Sequence, residues 1–481
     1  MKTITQDIRD LYSSFSHEPI SSLEKIPQSG SDRFYFRLIT ASRSYIATYG
    51  KNIRENNTFI AFSKHFRSCG SPVPAIFAVN ETATIYLQED FGDISLLNKL
   101  EALGHGDEAY KLFQQSLRKL AEMQINGDEG LDYSWCITSR EFGKQAIISD
   151  LLYFKYYFLD TLGIPYDKEK LLSDFEAMGT YLSHVDYKYF MFRDFQSRNV
   201  MVTDNNVHFI DFQGGMKGAL QYDVASMLWQ ARAELSDEWK HSLLHHYMDC
   251  VEDILQTKMD RPRFISQYNG YVMIRLLQVL GAYGFRGLFE RKAQFLTSIP
   301  LALRNLKWFV EDKRIGIGLP EFERLLGLIV DDEIINRFEP VRATEETPLV
   351  VRINSFSYKN GIPPDATDNG GGFVFDCRGI LNPGRQLAFK KLTGRDKEVK
   401  DFLEQQTKMP EFLNSVYTIA DIAVEDYIKR GFQNLMISFG CTGGQHRSVF
   451  AADALSRHLR NKFNVKVTLN HFVQDEKKWI N

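Results

Sequence analysis

Alternating apolar and polar positions dominate the first part of the chain. Between about Pro27 and Gln88 the segments RFYFRLI, SYIATYG and ATIYLQED read as strands, with a helical stretch from Glu55 to Cys69 between the second and third. This predicts a small sheet carrying one helix. From Ser95 the period changes: Leu171, Phe175, Met178 and Leu182 recur at spacings of four, three and four, which places them on one helical face. Within this helical part YFMFR, DFQSRN, VMVT and VHFI predict a hairpin around the turn Asp204-Asn205-Asn206, ending at Asp211. Helical pattern resumes near Asp223 and runs to about Phe338.

Glu339, Pro340 and the polar run Arg342 to Thr347 then read as a linker. The expected division is a first domain over residues 1–338, with a small lobe to about residue 90 and a helical lobe over 91–338. A linker at 339–347 and a second domain over 348–481 follow. In that second part the strands LVVRINSFS, GFVFDCR, NLMISFG and VKVTLNHF alternate with helical stretches from about Lys397 to Lys429 and from Ser448. Such alternation predicts an α/β domain with a mostly parallel sheet, so the fold class is multidomain, α+β and α/β.

Composition narrows the function classes. A length of 481 residues suits two or three domain-sized units, and 44% hydrophobic with 25% charged residues is ordinary for a folded protein rather than a disordered or fibrous one. The net charge of −3 argues against a basic coat for nucleic acid. From Val341 onward there are 20 Lys and Arg against 16 Asp and Glu, a slight excess that makes only a weak case for RNA as a partner. Five dispersed cysteines without a CxxC pair fit neither a disulfide framework nor a zinc site, and point to a reducing, cytoplasmic setting. The start MKTITQDIRDLYSSF has no signal-peptide-like apolar run, and no stretch approaches 18 uninterrupted apolar residues, so no membrane association is expected.

The densest chemistry lies in Phe192-Arg193-Asp194-Phe195-Gln196-Ser197-Arg198-Asn199, followed twelve residues later by Asp211-Phe212-Gln213. Phosphoryl transfer needs a carboxylate to orient and deprotonate the attacking hydroxyl, and oxygen ligands to hold magnesium against a triphosphate. Asp194 suits the base, and Asn199 and Asp211 suit the metal. Singly, such residues more commonly cap loops. The hairpin, the IDFQ strand end and Asp223 in YDVASML together favour a kinase-type site.

This set resembles the aminoglycoside phosphotransferase and choline kinase family, and the RDFQSRNVM and IDFQG forms most resemble its N-acetylmuramate/N-acetylglucosamine kinase branch. The resemblance spans about residues 20 to 335. It implies a bilobal, protein-kinase-like fold with ATP between the lobes and Mg2+ beside it. It also implies that Ser29, Gly30, Ser31 and Arg33 belong to a phosphate-covering turn, that Glu55 is the acidic residue of the small-lobe helix, and that Gln88, Glu89 and Asp90 form the hinge. One departure stands out: Thr48 occupies the place where many kinases carry a strand lysine, leaving Arg33 or Lys51 to supply the charge. The rival reading is an inactive kinase fold acting as an RNA-binding adapter.

In the tail, strand NLMISFG runs into Cys441-Thr442-Gly443-Gly444-Gln445-His446-Arg447-Ser448 and then a helix. Loop amides and the helix end would meet at one point, where Arg447 can add a bidentate contact to an anion. The same residues spell Cys-x5-Arg-Ser, as in cysteine phosphatases, although Gly440 stands where those enzymes carry histidine. SFSYKNGIPPDA, FVFDCRGILNPG, LTGRDKEV and ISFGCTGGQHRSVF, within about Pro348 to Phe472, resemble the carboxy-terminal domain of the RapZ family. That resemblance implies small-RNA binding and glucosamine-6-phosphate sensing. An amino-sugar phosphate would rest on Gly443, Gly444, His446 and Arg447, helped by Lys359 and Arg378. The expected whole is an ATP-dependent kinase for a sugar or amino-sugar hydroxyl, fused to a domain that binds a phosphorylated metabolite.

Overall fold

The computed structural model describes residues 2–26, 33–290, 293–312, 314–339, 341–365, 367 and 371–476. Ser29, Gly30 and Ser31 of the expected phosphate-covering turn lie outside the described residues. The chain forms two compact units, Met1–Ala282 with Leu301–Ile335, and Tyr283–Pro300 with Asn336–Asn481.

The first unit begins with α1 (Lys2–Phe15), β1 (Ser22–Lys25), β2 (Phe34–Ile39), β3 (Ser44–Tyr49), α2 (Ile53–Ser68), β4 (Ile76–Val79) and β5 (Ile85–Glu89). The strands form one antiparallel sheet in the order β1-β2-β3-β5-β4. Strand alternation sends Phe36, Leu38, Tyr45, Ala47, Ile85 and Leu87 to one face, where Ile8, Leu11 and Tyr12 of α1 cover them. The other face carries Tyr35, Thr48 and Tyr86 in register, and α2 lies there with Phe59 stacked on Tyr86. Asn52 caps α2 by accepting the Glu55 N–H. Buried Asn56 donates to the carbonyls of Gly50 and Ala83, 2.8 Å each, tying the first turn of α2 to the sheet.

The larger lobe follows as α3 (Leu96–Leu103), α4 (Asp107–Asn126), α5 (Lys144–Tyr157), α6 (Lys168–Ser183), β6 (Lys188–Met191), β7 (Val200–Thr203), β8 (Asn206–Phe209), β9 (Met216–Ala219), α7 (Leu220–Leu228), α8 (Asp237–Leu255) and α9 (Arg261–Tyr283). β7 and β8 form the expected hairpin, and both turn residues, Asp204 and Asn205, have positive φ (50° and 58°), as a two-residue turn matching strand twist requires. β6 pairs with β9 instead. The helical run Arg261–Phe289 is apolar and long enough to cross a membrane by composition, yet 56% of its most apolar window is buried in the protein. Buried Gln267 and Arg275 lie on it, as befits a core helix.

The segment between β6 and β7 is pinned from two sides. Phe192 and Phe195 are fully buried and pack edge-to-face on each other and on Phe209. Opposite them the Asp223 carboxylate, wholly buried on α7, accepts the N–H groups of Phe192 (2.7 Å) and Arg193 (2.9 Å) and the Gln124 side-chain amide (2.8 Å). Burial pushes this carboxyl up to about 7, while the three N–H donors favour its charged form.

In the second unit β10 (Val350–Ser357), β11 (Phe373–Asp376), β12 (Asn434–Cys441) and β13 (Lys466–His471) form one sheet, order β11-β12-β10-β13, with every neighbouring pair parallel. Val351, Ile353, Leu435, Ile437 and Phe439 are buried at its centre, beside Val416, Ala420 and Val424 of helix Met409–Arg430 and Phe450, Ala451 and Leu455 of helix Arg447–Phe463. The strand expected over GFVFDCR stops earlier. Asp376 accepts the Arg378 N–H (2.8 Å) and turns the chain into the short helical turn Cys377–Gly379.

Two substitutions test these anchors. Asp223→Ala strands three buried donors, each costing about 1–3 kcal/mol, so unfolding free energy should fall by about 3 kcal/mol or more in urea titrations. A Cβ on Gly440 would lie 2.4 Å from the Tyr358 ring and 2.5 Å from the Phe356 ring. Gly440→Ala should therefore cost about 1–3 kcal/mol by the same measurement.

Candidate active site

Asp194 and Asn199 stand on the pinned segment, and Asp211 follows the hairpin that segment leads into. The backbone at Arg193 and Asp211 has φ of 81° and 70°, a conformation that side-chain-bearing residues seldom adopt. The Ile210 N–H bonds the Asn199 carbonyl at 3.0 Å, which brings Asn199 and Asp211 to the open end of the hairpin together. Asn199 donates its side-chain amide to the Asp194 carbonyl (2.9 Å), leaving Oδ1 as an oxygen donor. Asp211 accepts Arg33 (3.1 Å) and Gln213 (2.8 Å) on Oδ1.

Arg33 links the lobes. Its Nη2 lies 3.3 Å from Glu55 on α2 and 3.1 Å from Asp211, and Gln213 also reaches Glu55 at 3.3 Å. The strand position sought for a lysine holds Thr48, wholly buried, so the cation beside Glu55 and Asp211 comes from just before β2. Lys51 is exposed. The expected hinge residues differ in their surroundings. Gln88 is buried against Thr48, Glu89 binds Arg67 and the Ala75 N–H, and Asp90 is held by Arg37 and the Gly92 N–H.

Asp194 keeps a third of its side chain exposed, with Arg275 of α9 on Oδ1 at 2.7 Å and Arg198 on Oδ2 at 3.2 Å. Burial alone would raise this carboxyl's pKa, but Arg275 and Arg198 prevail and hold it below its usual value, so it is a carboxylate at neutral pH. The adjacent Arg193 turns away, with Nη2 on both oxygens of Asp150 (2.8 and 2.9 Å) and its guanidinium over the Phe142 and Tyr222 rings. Sequence reasoning named Gln213 only as part of the Asp211-Phe212-Gln213 motif, and left out Arg275 and Asp150 altogether. Only Arg275 left a trace, a single cation within the apolar run MIRLLQVLG.

The donor chemistry fits magnesium. Asn199 Oδ1 and the Asp211 carboxylate are hard oxygens. Among the described residues no group of three His, Cys, Asp or Glu side chains is placed to hold a metal ion, so a cation here would draw its remaining ligands from phosphate and water.

In the second unit the loop after β12 is braced rather than open. Gln445 donates to the carbonyls of Lys390 (3.1 Å) and Leu392 (2.7 Å), and His446 Nε2 donates to Phe389 (2.9 Å). Burial lowers the His446 pKa, keeping the ring neutral. Gly444 has φ 65°, and a Cβ there would meet Val473 and the Ser357 N–H. One expectation is corrected: Arg447 does not offer its full fork to an anion. Its Nη1 is taken by the carbonyls of Arg378 (3.0 Å) and Ile380 (2.7 Å), and Nη2 lies 3.5 Å from Thr442 Oγ1. Cys441 is buried, which limits access to its sulfur, and its Sγ lies 3.2 Å from Ser448 Oγ. Arg378 pairs with Asp376 and lies over the Tyr358 ring. Thr442 and Gly443 form the exposed rim.

Comparison with known proteins gives a match for each unit. Residues 22–260 match the phosphotransferase enzyme family and residues 349–474 the RapZ C-terminal domain. A nucleotide-binding protein of Fervidobacterium nodosum is 34% identical over 160 residues, covering 32% of this chain and 55% of that protein. Another, from Solibacter usitatus, is 39% identical over 128 residues, covering 27% of this chain and 38% of that protein. The chain thus spans about half or less of the length of these relatives. Among solved structures, choline kinase from Streptococcus pneumoniae is 13% identical, covering 64% of this chain and 99% of that one, with TM-score 0.44. The chain joins a domain of the phosphotransferase enzyme family, with a bilobal kinase-like fold, to a RapZ C-terminal domain.

Proposed function

We propose that the first unit transfers the terminal phosphoryl group of ATP to a hydroxyl of a sugar or amino sugar, N-acetylmuramate or N-acetylglucosamine being the acceptors the motifs suggest. The observation that carries this is the junction of Arg33 with Glu55 and Asp211, beside the Asp194 and Asn199 loop. The cation that Thr48 leaves out is supplied from just before β2, which favours an active enzyme over an inactive kinase fold.

In this reading the Asp194 carboxylate accepts the proton of the attacking hydroxyl and aligns it. Asn199 Oδ1 and Asp211 hold Mg2+, which neutralises charge on the phosphates. Arg33, fixed by Glu55, faces the same charge from the small lobe and takes the role usually filled by a strand lysine. Arg198, largely exposed beside Asp194, suits an acceptor bearing a carboxylate. A cytoplasmic location follows from the supply of ATP. The second unit serves as the binding site of a phosphorylated amino sugar, received at the Thr442–Gly443 rim, where backbone amides and the N-terminus of helix Arg447–Phe463 favour an anion. His446 and Arg447 act there by holding the loop's shape.

Asp194→Asn should lower ATP-dependent phosphorylation about 10²- to 10⁴-fold, followed as ADP release across a panel of sugars and amino sugars. Undiminished ADP release would remove the assignment. For the second unit, calorimetric titration of the intact protein with glucosamine-6-phosphate should give saturable heat that Gly443→Val abolishes. Absence of heat at millimolar ligand would discard the metabolite site.

A further inference from the structure

α9 contributes one charged side chain to the surroundings of Asp194, and its placement is unusual. Arg275 has 7% of its side chain exposed and sits between Ile274 and Leu276 in a buried stretch of helix. A guanidinium so placed is costly unless its hydrogens are met. Nη2 meets Asp194 Oδ1 at 2.7 Å and Nη1 meets Gln278 Oε1 at 2.5 Å, one turn further along the same helix.

The other charges around Asp194 cannot do the same work. Arg198 bonds Oδ2 at 3.2 Å but is 60% exposed and four residues away in sequence, so solvent competes for it. Arg193 is committed to Asp150 on α5 and to the rings of Phe142 and Tyr222. Asp223 on α7 fixes the backbone before Asp194 but does not touch its side chain. The carboxylate's rotation therefore rests on one rigid partner.

We propose that Arg275, braced by Gln278, is a positioning residue that locks the Asp194 carboxylate, holding Oδ1 so that Oδ2 is presented to the acceptor hydroxyl. The inference rests on the reading of Asp194 as the base. In this role Arg275 acts through Asp194. Because misplacing a reacting group by about 1 Å can cost on the order of 10²-fold, its loss acts on turnover rather than on nucleotide affinity.

The test is steady-state kinetics of the intact protein with ATP and whichever acceptor in the sugar panel supports ADP release. Arg275→Ala should lower kcat about 10- to 10²-fold with KM for ATP within about twofold, and added guanidinium ion should restore part of it. Arg275→Lys, which keeps charge but loses the fork, should be intermediate. Should Arg275→Ala fail to fold, Gln278→Leu keeps both members of the pair and should still lower kcat several-fold, melting temperature being recorded for each variant. In the Asp194→Asn background the Arg275 substitutions should add nothing further. Folded Arg275→Lys and Gln278→Leu proteins with wild-type kcat would overturn the inference. So would an Arg275→Ala loss that guanidinium does not relieve and that raises KM for ATP in parallel. Wild-type activity in Asp194→Asn, or no ADP release by the wild type with any acceptor, would instead refute the base assignment and the inference with it.

Discussion

A single buried carboxylate organises the first unit's chemistry. Asp223 gathers two successive backbone N–H groups and one side-chain amide. By doing so it fixes the chain where it leaves β6. Buried Phe192 and Phe195 bracket Arg193 and Asp194, so once the two rings are seated the backbone carrying both polar residues is fixed between them. Gln124, which donates to Asp223, is itself held by the Tyr247 hydroxyl at 2.5 Å. α4, α7 and α8 thus meet at one charge, and the placement of the Asp194 loop is inherited from helix packing.

Much of this was legible in the chain. The Asp204-Asn205 turn was legible because residues tolerant of positive φ stand between two apolar runs. The set formed by Asp194, Asn199, Asp211 and Asp223 was legible because its members lie within thirty residues of one another, at the ends of short apolar strands and at the start of a helix. Arg275 was not, because its partner is 81 residues away and a lone arginine in an apolar helix says nothing of what it faces. The packing of α1 on the sheet was equally hidden: the opening residues show that no apolar run is present, not which surface their side chains will cover. In the tail, sequence placed Arg447 beside a glycine-rich turn. That the Arg378 and Ile380 carbonyls would claim it depends on where the chain turns after Asp376.

The two units solve the problem of presenting a shaped loop differently. In the first, the loop is hung on charges: Asp223 below, Arg275 and Arg33 at the sides. In the second, it is cast against neighbours. Gly440 faces the Phe356 and Tyr358 rings, Gly444 faces Val473, and Gly394 approaches the His446 carbonyl. Shape there is set by the absence of side chains, and hydrogen bonds from Gln445 and His446 to the 389–392 segment keep it closed.

The positive-φ backbone at Arg193 and Asp211 carries an evolutionary consequence. Each position holds a conformation that glycine would occupy more comfortably, by about 1–3 kcal/mol of relieved strain. Selection for robustness alone would therefore drift toward glycine at both sites and erase a guanidinium and a carboxylate in the process. At each position that stability is given up for what the side chain binds, Asp150 for Arg193 and Arg33 for Asp211.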